Sequence, residues 1–323
     1  MNTLLVGAGY WGKNFIRVLN DPSNCFDLKY ILDTQNKIEE YECFKDFKSL
    51  KKVIKKIDCA VVCSPTKTHY TVVKELLKHK INVLVEKPIT TNTEEAIELY
   101  ELAKANGVVL LTDHTFLYNS SINYIYDFVQ SGELGDLVHI SFERTNLGPI
   151  RTDVSSLWDL TTHDISILNA FVNEDLIKIN ASGFSLKNND IFDMVNISLN
   201  YKNIFISIFS SWLHPEKSRK IKFVGTKKML VFDDTNVLEP IKIYNKKFND
   251  ITETSDNYNS IFNFSIGDVV SPYVKQVEPL KKVILDFENR IYKKERINIL
   301  NSEKLTIDTI DILQKIDKLI NSN

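Results

Sequence analysis

Two short stretches of this chain carry side chains able to move a proton. The first, Val83-Leu84-Val85-Glu86-Lys87-Pro88, is an apolar run that ends in a charged pair and a proline. A lysine fixed there can protonate a carbonyl oxygen or take the proton of a hydroxyl, which is the acid–base half of a hydride transfer. By residue type alone Lys87 would be a surface lysine paired with Glu86; the strand-end position and the following proline favour the chemical role. Pro88 also permits a cis bond. The second stretch is Trp158-Asp159-Leu160-Thr161-Thr162-His163-Asp164. On a helix, Asp159 and His163 are four residues apart and project from one face, where the carboxylate can orient the imidazole and share a proton with it. An acid near a helix start beside a satisfied histidine would read the same way.

A hydride transfer needs an acceptor, and the N-terminus supplies a site for one. Leu4-Leu5-Val6-Gly7-Ala8-Gly9-Tyr10-Trp11-Gly12 is a buried strand breaking into G-x-G-x-x-G and continuing into a helical stretch from Lys13 to Leu19. In that fingerprint Gly7 allows a tight turn, Gly9 lets a pyrophosphate approach the backbone, and Gly12 lets helix and strand pack closely. The helix start offers amides and the positive end of its dipole to phosphate. A second apolar run, Leu28 to Leu32, ends in Asp33, roughly 20 residues beyond the glycines, where an acid can bind a ribose 2'-hydroxyl and would repel a 2'-phosphate. NAD is therefore expected in preference to NADP.

The elements that must hold these residues follow from periodicity. Up to about Thr115 strands and helices alternate as a parallel, doubly wound sheet requires, with strands at Asp58 to Cys63, Ile81 to Val85 and Val108 to Leu111 and helices near Thr68 to His79 and Glu94 to Ala105. Asn106-Gly107 closes the last of these helices. Ser64-Pro65-Thr66 and Glu86-Lys87-Pro88 then both lie at carboxyl ends of strands, where open α/β sheets bind ligands.

Beyond Phe116 the pattern changes. A helix from about Ser121 to Ser131 is followed by extended runs at Val138 to Thr145, Ile177 to Leu186, Met194 to Leu199, Ile204 to Trp212, Ile221 to Val224 and Met229 to Phe232, interrupted by a helical segment from Leu157 to Phe171. Short links between these runs predict an open, mostly antiparallel sheet. A polar stretch from Asn245 to Ser265 reads as a long loop or irregular hairpins, and helices near Glu278 to Tyr292 and Thr306 to Ile320 finish the chain. The expected fold class is α/β. An N-terminal Rossmann dinucleotide-binding domain occupies residues 1–116, and a C-terminal α+β substrate and oligomerisation domain occupies 117–323.

Composition narrows the partners. A chain that is 43% hydrophobic with a net charge of −2 can bury a full core and has no basic block with which to hold nucleic acid. Lys51, Lys52, Lys55 and Lys56 read as the solvated face of a helix. No signal peptide and no apolar run of the ~20 residues needed to span a bilayer is evident, so a cytoplasmic protein without a membrane partner is expected. Cys25, Cys43, Cys59 and Cys63 lack the spacing of a zinc site and read as reduced packing residues; no metal is expected.

Taken together, Gly7 to Gly12, Ser64-Pro65-Thr66 with His69, Glu86-Lys87-Pro88, Thr112 to Tyr118, and Asp159 with His163 resemble the glucose-fructose oxidoreductase / inositol dehydrogenase / rhizopine catabolism (Gfo/Idh/MocA) family over essentially the whole chain. The resemblance implies an NAD(P)-dependent oxidoreductase in which Lys87 meets the reacting hydroxyl or carbonyl and Asp159 and His163 complete the proton path. It also implies that Tyr10, Trp11, Ser64, Pro65, Thr66 and His69 line the cofactor groove and that Glu86 lies near the nicotinamide ribose. A narrower likeness, to the branch acting on nucleotide-linked sugars in surface-glycan synthesis, comes from Arg144-Thr145-Asn146-Leu147-Gly148-Pro149-Ile150-Arg151 and from Ser211-Trp212-Leu213-His214-Pro215-Glu216-Lys217-Ser218-Arg219. Arg151, Lys217 and Arg219 are the cations that would hold a diphosphate, although each alone also reads as ordinary surface charge. His214 stands where that branch would have an aspartate. His114 and Tyr118 either line the cleft or pack.

The expected function is therefore hydride transfer between NAD and a secondary hydroxyl or ketone of a sugar, foremost a nucleotide sugar. The alternatives are a dehydrogenase of free sugars or cyclic polyols such as inositol, and a non-enzymatic NAD-sensing regulator. An open sheet with one broad face uncovered predicts a homodimer or homotetramer.

Overall fold

The apolar runs up to Asp113 become strands of a six-stranded sheet. In the computed structural model, which describes residues 1–35, 37–148, 151, 153–187, 191–248 and 264–322, these are β1 (Asn2–Val6), β2 (Asp27–Leu32), β3 (Glu42–Phe44), β4 (Cys59–Val62), β5 (Asn82–Glu86) and β6 (Leu110–Asp113). They pair in the order β3-β2-β1-β4-β5-β6, all parallel. Burial on both faces explains the unbroken hydrophobicity of β4, Cys59-Ala60-Val61-Val62, all completely buried. The crossovers are α1 (Gly12–Leu19), a short α2 (Phe47–Leu50), α3 (Thr66–Lys78) and α4 (Thr93–Asn106). In α4 the Asn92 side chain accepts the Glu95 amide at 2.9 Å, and Gly107 ends the helix at φ +67°. Strand order reverses between β1 and β4, the switch point at which such sheets leave a crevice at their carboxyl ends.

The following elements are α5 (Ser120–Gln130), β7 (Leu137–Leu147), α6 (Thr162–Phe171), β8 (Leu176–Phe184), β9 (Met194–Tyr201), β10 (Phe205–Ser211), β11 (Leu213–Gly225), β12 (Met229–Asp233), β13 (Ile241–Tyr244), a separate ribbon of β14 (Lys247–Phe248) with β15 (Phe264–Ser265), and β16 (Val269–Val270), and the eight strands outside the ribbon form a second sheet. Its order is β16-β13-β12-β11-β7-β10-β9-β8. Every pairing is antiparallel except β7 with β10. Alternation puts Ile140, Phe142, Ile197, Ile206, Ile208, Ile221 and Phe223 into the core. Phe171 packs on Phe223 with ring centroids 5.0 Å apart. Most of the polar stretch from Asn245 to Ser265 lies outside the described residues. The chain ends with α7 (Pro279–Ile291) and α8 (Glu303–Asn321).

Two compact units result: residues 1–119, 165–170 and 277–315, and residues 120–164, 171–276 and 316–323. Residues 277–315, which the expected second domain includes, pack within the first unit. Phe26 stacks on Phe287 with centroids 5.8 Å apart, the Tyr118 hydroxyl donates to Asp286 at 2.7 Å, and Thr93 donates to Gln314 at 2.6 Å. Among the described residues no helix is long and apolar enough to cross a membrane.

Candidate functional site: a glycine turn beside Glu86-Lys87-Pro88

The turn from β1 into α1 has the geometry the glycines predict. Gly7 has φ +90°, and a Cβ there would lie 2.6 Å from the Ser64 amide nitrogen. A Cβ on Gly12 would lie 2.2 Å from the Gly7 carbonyl oxygen. A Cβ on Gly9 would meet nothing within 4 Å, so the middle of the turn is an open cradle. Tyr10 and Trp11 beside it are 89% and 40% exposed, available to a bound molecule. At the end of β2 the Asp33 carboxylate accepts the Ala8 amide at 2.6 Å and the Gln35 amide at 2.8 Å, which fixes it against the same turn. These residues fit a dinucleotide, with phosphate over Gly9 and a ribose near Asp33.

Neighbouring strand ends complete this half of the site. The Ser64 and Thr68 hydroxyls are 2.7 Å apart, Pro65 precedes α3, and Thr66 is its buried first residue. His69 is buried rather than displayed: Nε2 lies 2.7 Å from the Ser64 carbonyl oxygen and Nδ1 2.8 Å from that of Pro88. It thus staples the loop after β4 to the loop after β5. The Lys87–Pro88 bond is cis. Glu86 accepts the Trp11 indole N–H on Oε1 and the Lys87 amide, at 3.1 Å, on Oε2. The exposed glycine turn and the Glu86-Lys87-Pro88 end are thereby tied by one side chain. His114 is buried with Nε2 3.1 Å from the Thr306 hydroxyl, and burial, then Lys87, push its pKa down to about 3. Tyr118 is completely buried, with its hydroxyl committed to Asp286.

In the second unit, Leu157–Thr161 is a π-helical turn leading into α6. Asp159 and His163 are half-buried while Trp158, Thr161, Thr162 and Asp164 around them are buried, so the two share the accessible stripe of this segment. Arg151 grips Asp153 at 2.6 Å and reaches Asp159 Oδ1 at 3.1 Å. Arg144 and Asp164 form a buried ion pair at 2.7 Å; burial raises the Asp164 pKa and Arg144 counters it. Arg219 is half-buried, 3.1 Å from Asp234, and Lys217 is exposed. Lys217 lies in the stretch of β11 where register with β7 breaks between Leu213 and Ser218, and Arg219 follows it in regular register opposite Arg144. Pro149 and Ile150, in the motif that runs from Arg144 to Arg151, lie outside the described residues.

Residues 1–114 match the family model described as an oxidoreductase family with an NAD-binding Rossmann fold, and residues 122–231 match the model of the GFO/IDH/MocA C-terminal domain. The chain belongs to the GFO/IDH/MocA oxidoreductase family. Among curated members, it is similar to the 2,7-anhydro-N-acetylneuraminate hydratase of Escherichia coli, at 26% identity over 45% of this chain and 40% of that protein. It is also similar to the UDP-N-acetylglucosamine 3-dehydrogenase of Acidithiobacillus ferrooxidans, at 27% identity over 57% of this chain and 58% of that one. The matched part thus spans about half the length of these GFO/IDH/MocA relatives. A solved structure of the Acidithiobacillus enzyme superposes over 100% of this chain and 98% of its own with a TM-score of 0.79 at 17% identity, a likeness of fold.

Sequence reading left three participants unnamed: Asp113, opposite Glu86, Asp153, which shares Arg151 with Asp159, and the Arg144–Asp164 pair. Asp113 and the Arg144–Asp164 pair lay within quoted motifs, and Asp153 did not. The pairing of Asp113 with Glu86 is visible solely from strand register.

Proposed function

We propose that this protein is an NAD-dependent oxidoreductase that interconverts a secondary hydroxyl and a ketone of a sugar, foremost a nucleotide sugar. Bound NAD would supply the hydride acceptor or donor. Lys87 takes the hydroxyl proton as the carbinol C–H leaves as hydride, and returns it in the reverse direction. The observation that carries this reading is the Trp11–Glu86 link, which joins the open Gly9 cradle to the lysine-bearing strand end. Gly7, Gly9, Gly12 and Asp33 hold the dinucleotide, while Ser64, Pro65, Thr66 and His69 shape the groove. Asp159 and His163 are assigned to the proton path on their motif and on their shared accessible stripe.

The nucleotide sugar is favoured over a free sugar or inositol-like polyol by the cations at 151, 217 and 219. It is also favoured by the likeness to a UDP-N-acetylglucosamine 3-dehydrogenase. Arg151 and Arg219 are held by carboxylates in the chain alone, so a diphosphate would have to exchange with Asp153 and Asp234; exposed Lys217 carries no such constraint. Division of labour follows the two sheets, cofactor on the first and substrate on the second, in a homo-oligomer.

The test is reduced-nicotinamide formation with NAD+ or NADP+ against nucleotide sugars and the matching free sugars, with Lys87→Met as control. Turnover is expected with NAD+ and nucleotide sugars, with a sharp loss of kcat/KM when the nucleotide is removed. Lys87→Met should abolish turnover and retain cofactor affinity by calorimetry. Equal efficiency on free polyols would move the substrate to that class. Cofactor binding without turnover in either direction, together with a stable partner complex, would replace the enzyme with an NAD-sensing regulator.

A further inference from the structure

Glu86 and Asp113 end adjacent parallel strands and face each other in register. Such strands lie about 4.8 Å apart, and in-register side chains leave the same face of the sheet. Both residues are withdrawn from water, Glu86 at 8% and Asp113 at 0% exposure. Two carboxylates at that spacing cannot both ionise cheaply, because each loses hydration and each opposes the other's charge.

The donors around them agree. Trp11 Nε1 and the Lys87 amide serve the two Glu86 oxygens, and the Thr115 hydroxyl serves Asp113 Oδ1 at 2.7 Å. Asp113 Oδ2 is buried with no hydrogen-bond partner among the described residues. A proton retained by the pair supplies what Asp113 Oδ2 lacks. Burial, then the Asp113 charge, pushes the Glu86 pKa well above the usual carboxylate range; burial pushes Asp113 up to about 6.

The other ionisable groups that face this pair are few. Cys63 at the end of β4 has its thiol pushed up by burial and next by Glu86, with Asp33 at the end of β2 contributing to the same field. His114 beside Asp113 stays neutral. Lys87 is the cation that acts on Glu86, Asp113 and His114 alike.

We propose that Glu86 and Asp113 hold one proton between them, and that Asp113, acting through Glu86, is a positioning residue that sets the charge Lys87 faces during turnover. With one proton the pair carries a single negative charge beside Lys87. Loss of that proton doubles the negative charge beside Lys87 and holds the lysine in its cationic form, the wrong form to take a hydroxyl proton. The part concerning turnover rests on Lys87 as the proton-transfer group; the shared proton does not.

Carbon-13 NMR of the full chain, labelled at the Asp and Glu side-chain carboxyls and titrated with and without NAD+, reads the pair directly. In the wild type two coupled resonances should titrate well above the ordinary carboxylate range. In Asp113→Asn the Glu86 resonance should fall by about one pH unit or more, a tenfold change in proton affinity, and the pH profile of kcat should lose one ionisation. Asp113→Ser serves if the asparagine variant does not fold, and the wild-type titration stands without either. The proposal is overturned if every wild-type carboxyl titrates in the ordinary range, or if replacing Asp113 leaves the Glu86 midpoint in place. Absence of turnover with normal NMR behaviour of the pair would instead count against the oxidoreductase reading. Robust turnover with an unshifted pair would count against this inference alone.

Discussion

Arg151 holds Asp159 and Asp153 at once, with Nη1 3.1 Å from Asp159 Oδ1 and Nη2 2.6 Å from Asp153 Oδ2. The guanidinium therefore orients a residue of the expected proton path whether or not it also meets a substrate phosphate. Arg151→Ala should lower kcat by about tenfold to a hundredfold through a misplaced Asp159. Arg151 is 34% exposed on its side chain, and stability should change by about 1 kcal/mol or less. Steady-state kinetics separates the roles: a phosphate anchor alone would raise KM and leave kcat in place, and Arg151→Lys would then restore more binding than turnover.

Gly9 and Gly12 differ in purpose as well as in position. Gly12→Ala forces a methyl group against the Gly7 carbonyl and should cost about 1–3 kcal/mol in stability while weakening cofactor binding. Gly9→Ala meets open space, so its melting temperature should stay near that of the parent. Its NAD affinity by calorimetry should nevertheless drop by about tenfold or more, equivalent to about 1.4 kcal/mol. Unchanged affinity in Gly9→Ala would move the dinucleotide away from this turn.

The Arg144–Asp164 pair is almost wholly out of water, at 6% and 2% side-chain exposure. Removing one partner leaves a buried charge, so Arg144→Met should destabilise by about 3–5 kcal/mol, read as a shift of the denaturant midpoint. Arg144→Met combined with Asp164→Leu should recover a large part of that loss. A double variant as unstable as the sum of the singles would show that the pair is not coupled.

His114 makes acid sensitivity predictable in sign. Its folded-state pKa, about 3, lies below its ordinary value of 6.5, so its contribution to stability is complete above pH 6.5 and is lost as pH falls toward 3. Unfolding then takes up a proton at this site, a slope of about 1.4 kcal/mol per pH unit across that window. His114→Asn should lose this slope, so the stability difference between variant and parent should change by about 1.4 kcal/mol per pH unit in melting experiments run between pH 6.5 and 4. A constant difference across that range would mean that His114 is protonated in the folded chain.

The parallel sheet was legible because its strands are buried on both faces and appear as apolar runs bounded by glycine turns, Leu4 to Gly7 being the clearest. β3 was not, since Glu42-Cys43-Phe44 is three residues at a sheet edge with no period to read. The first half of β11 was equally hidden: His214-Pro215-Glu216-Lys217 is polar and bulged, so it presents as a loop although the strand runs through it. Around the site, the glycines, Asp33 and Glu86-Lys87-Pro88 were readable from local order because each does its work within a few residues of a strand end. Asp113 was not. Its partner is far away along the chain, and only the register of β5 with β6 makes them neighbours.

The first unit is closed by segments from both halves of the chain, with the Phe26–Phe287 stack, the Tyr118–Asp286 bond, the His114–Thr306 contact and the Lys104–Glu303 bridge all supplied by residues beyond 277. The dinucleotide half is therefore not a cassette that one cut can excise. Grafting residues 1–116 onto another protein would strip the aromatic face of Phe26 and leave the Tyr118 hydroxyl behind with its acceptor. During synthesis the same arrangement means that the cofactor half cannot finish assembling until residues 277–315 have left the ribosome, after every strand of the second sheet.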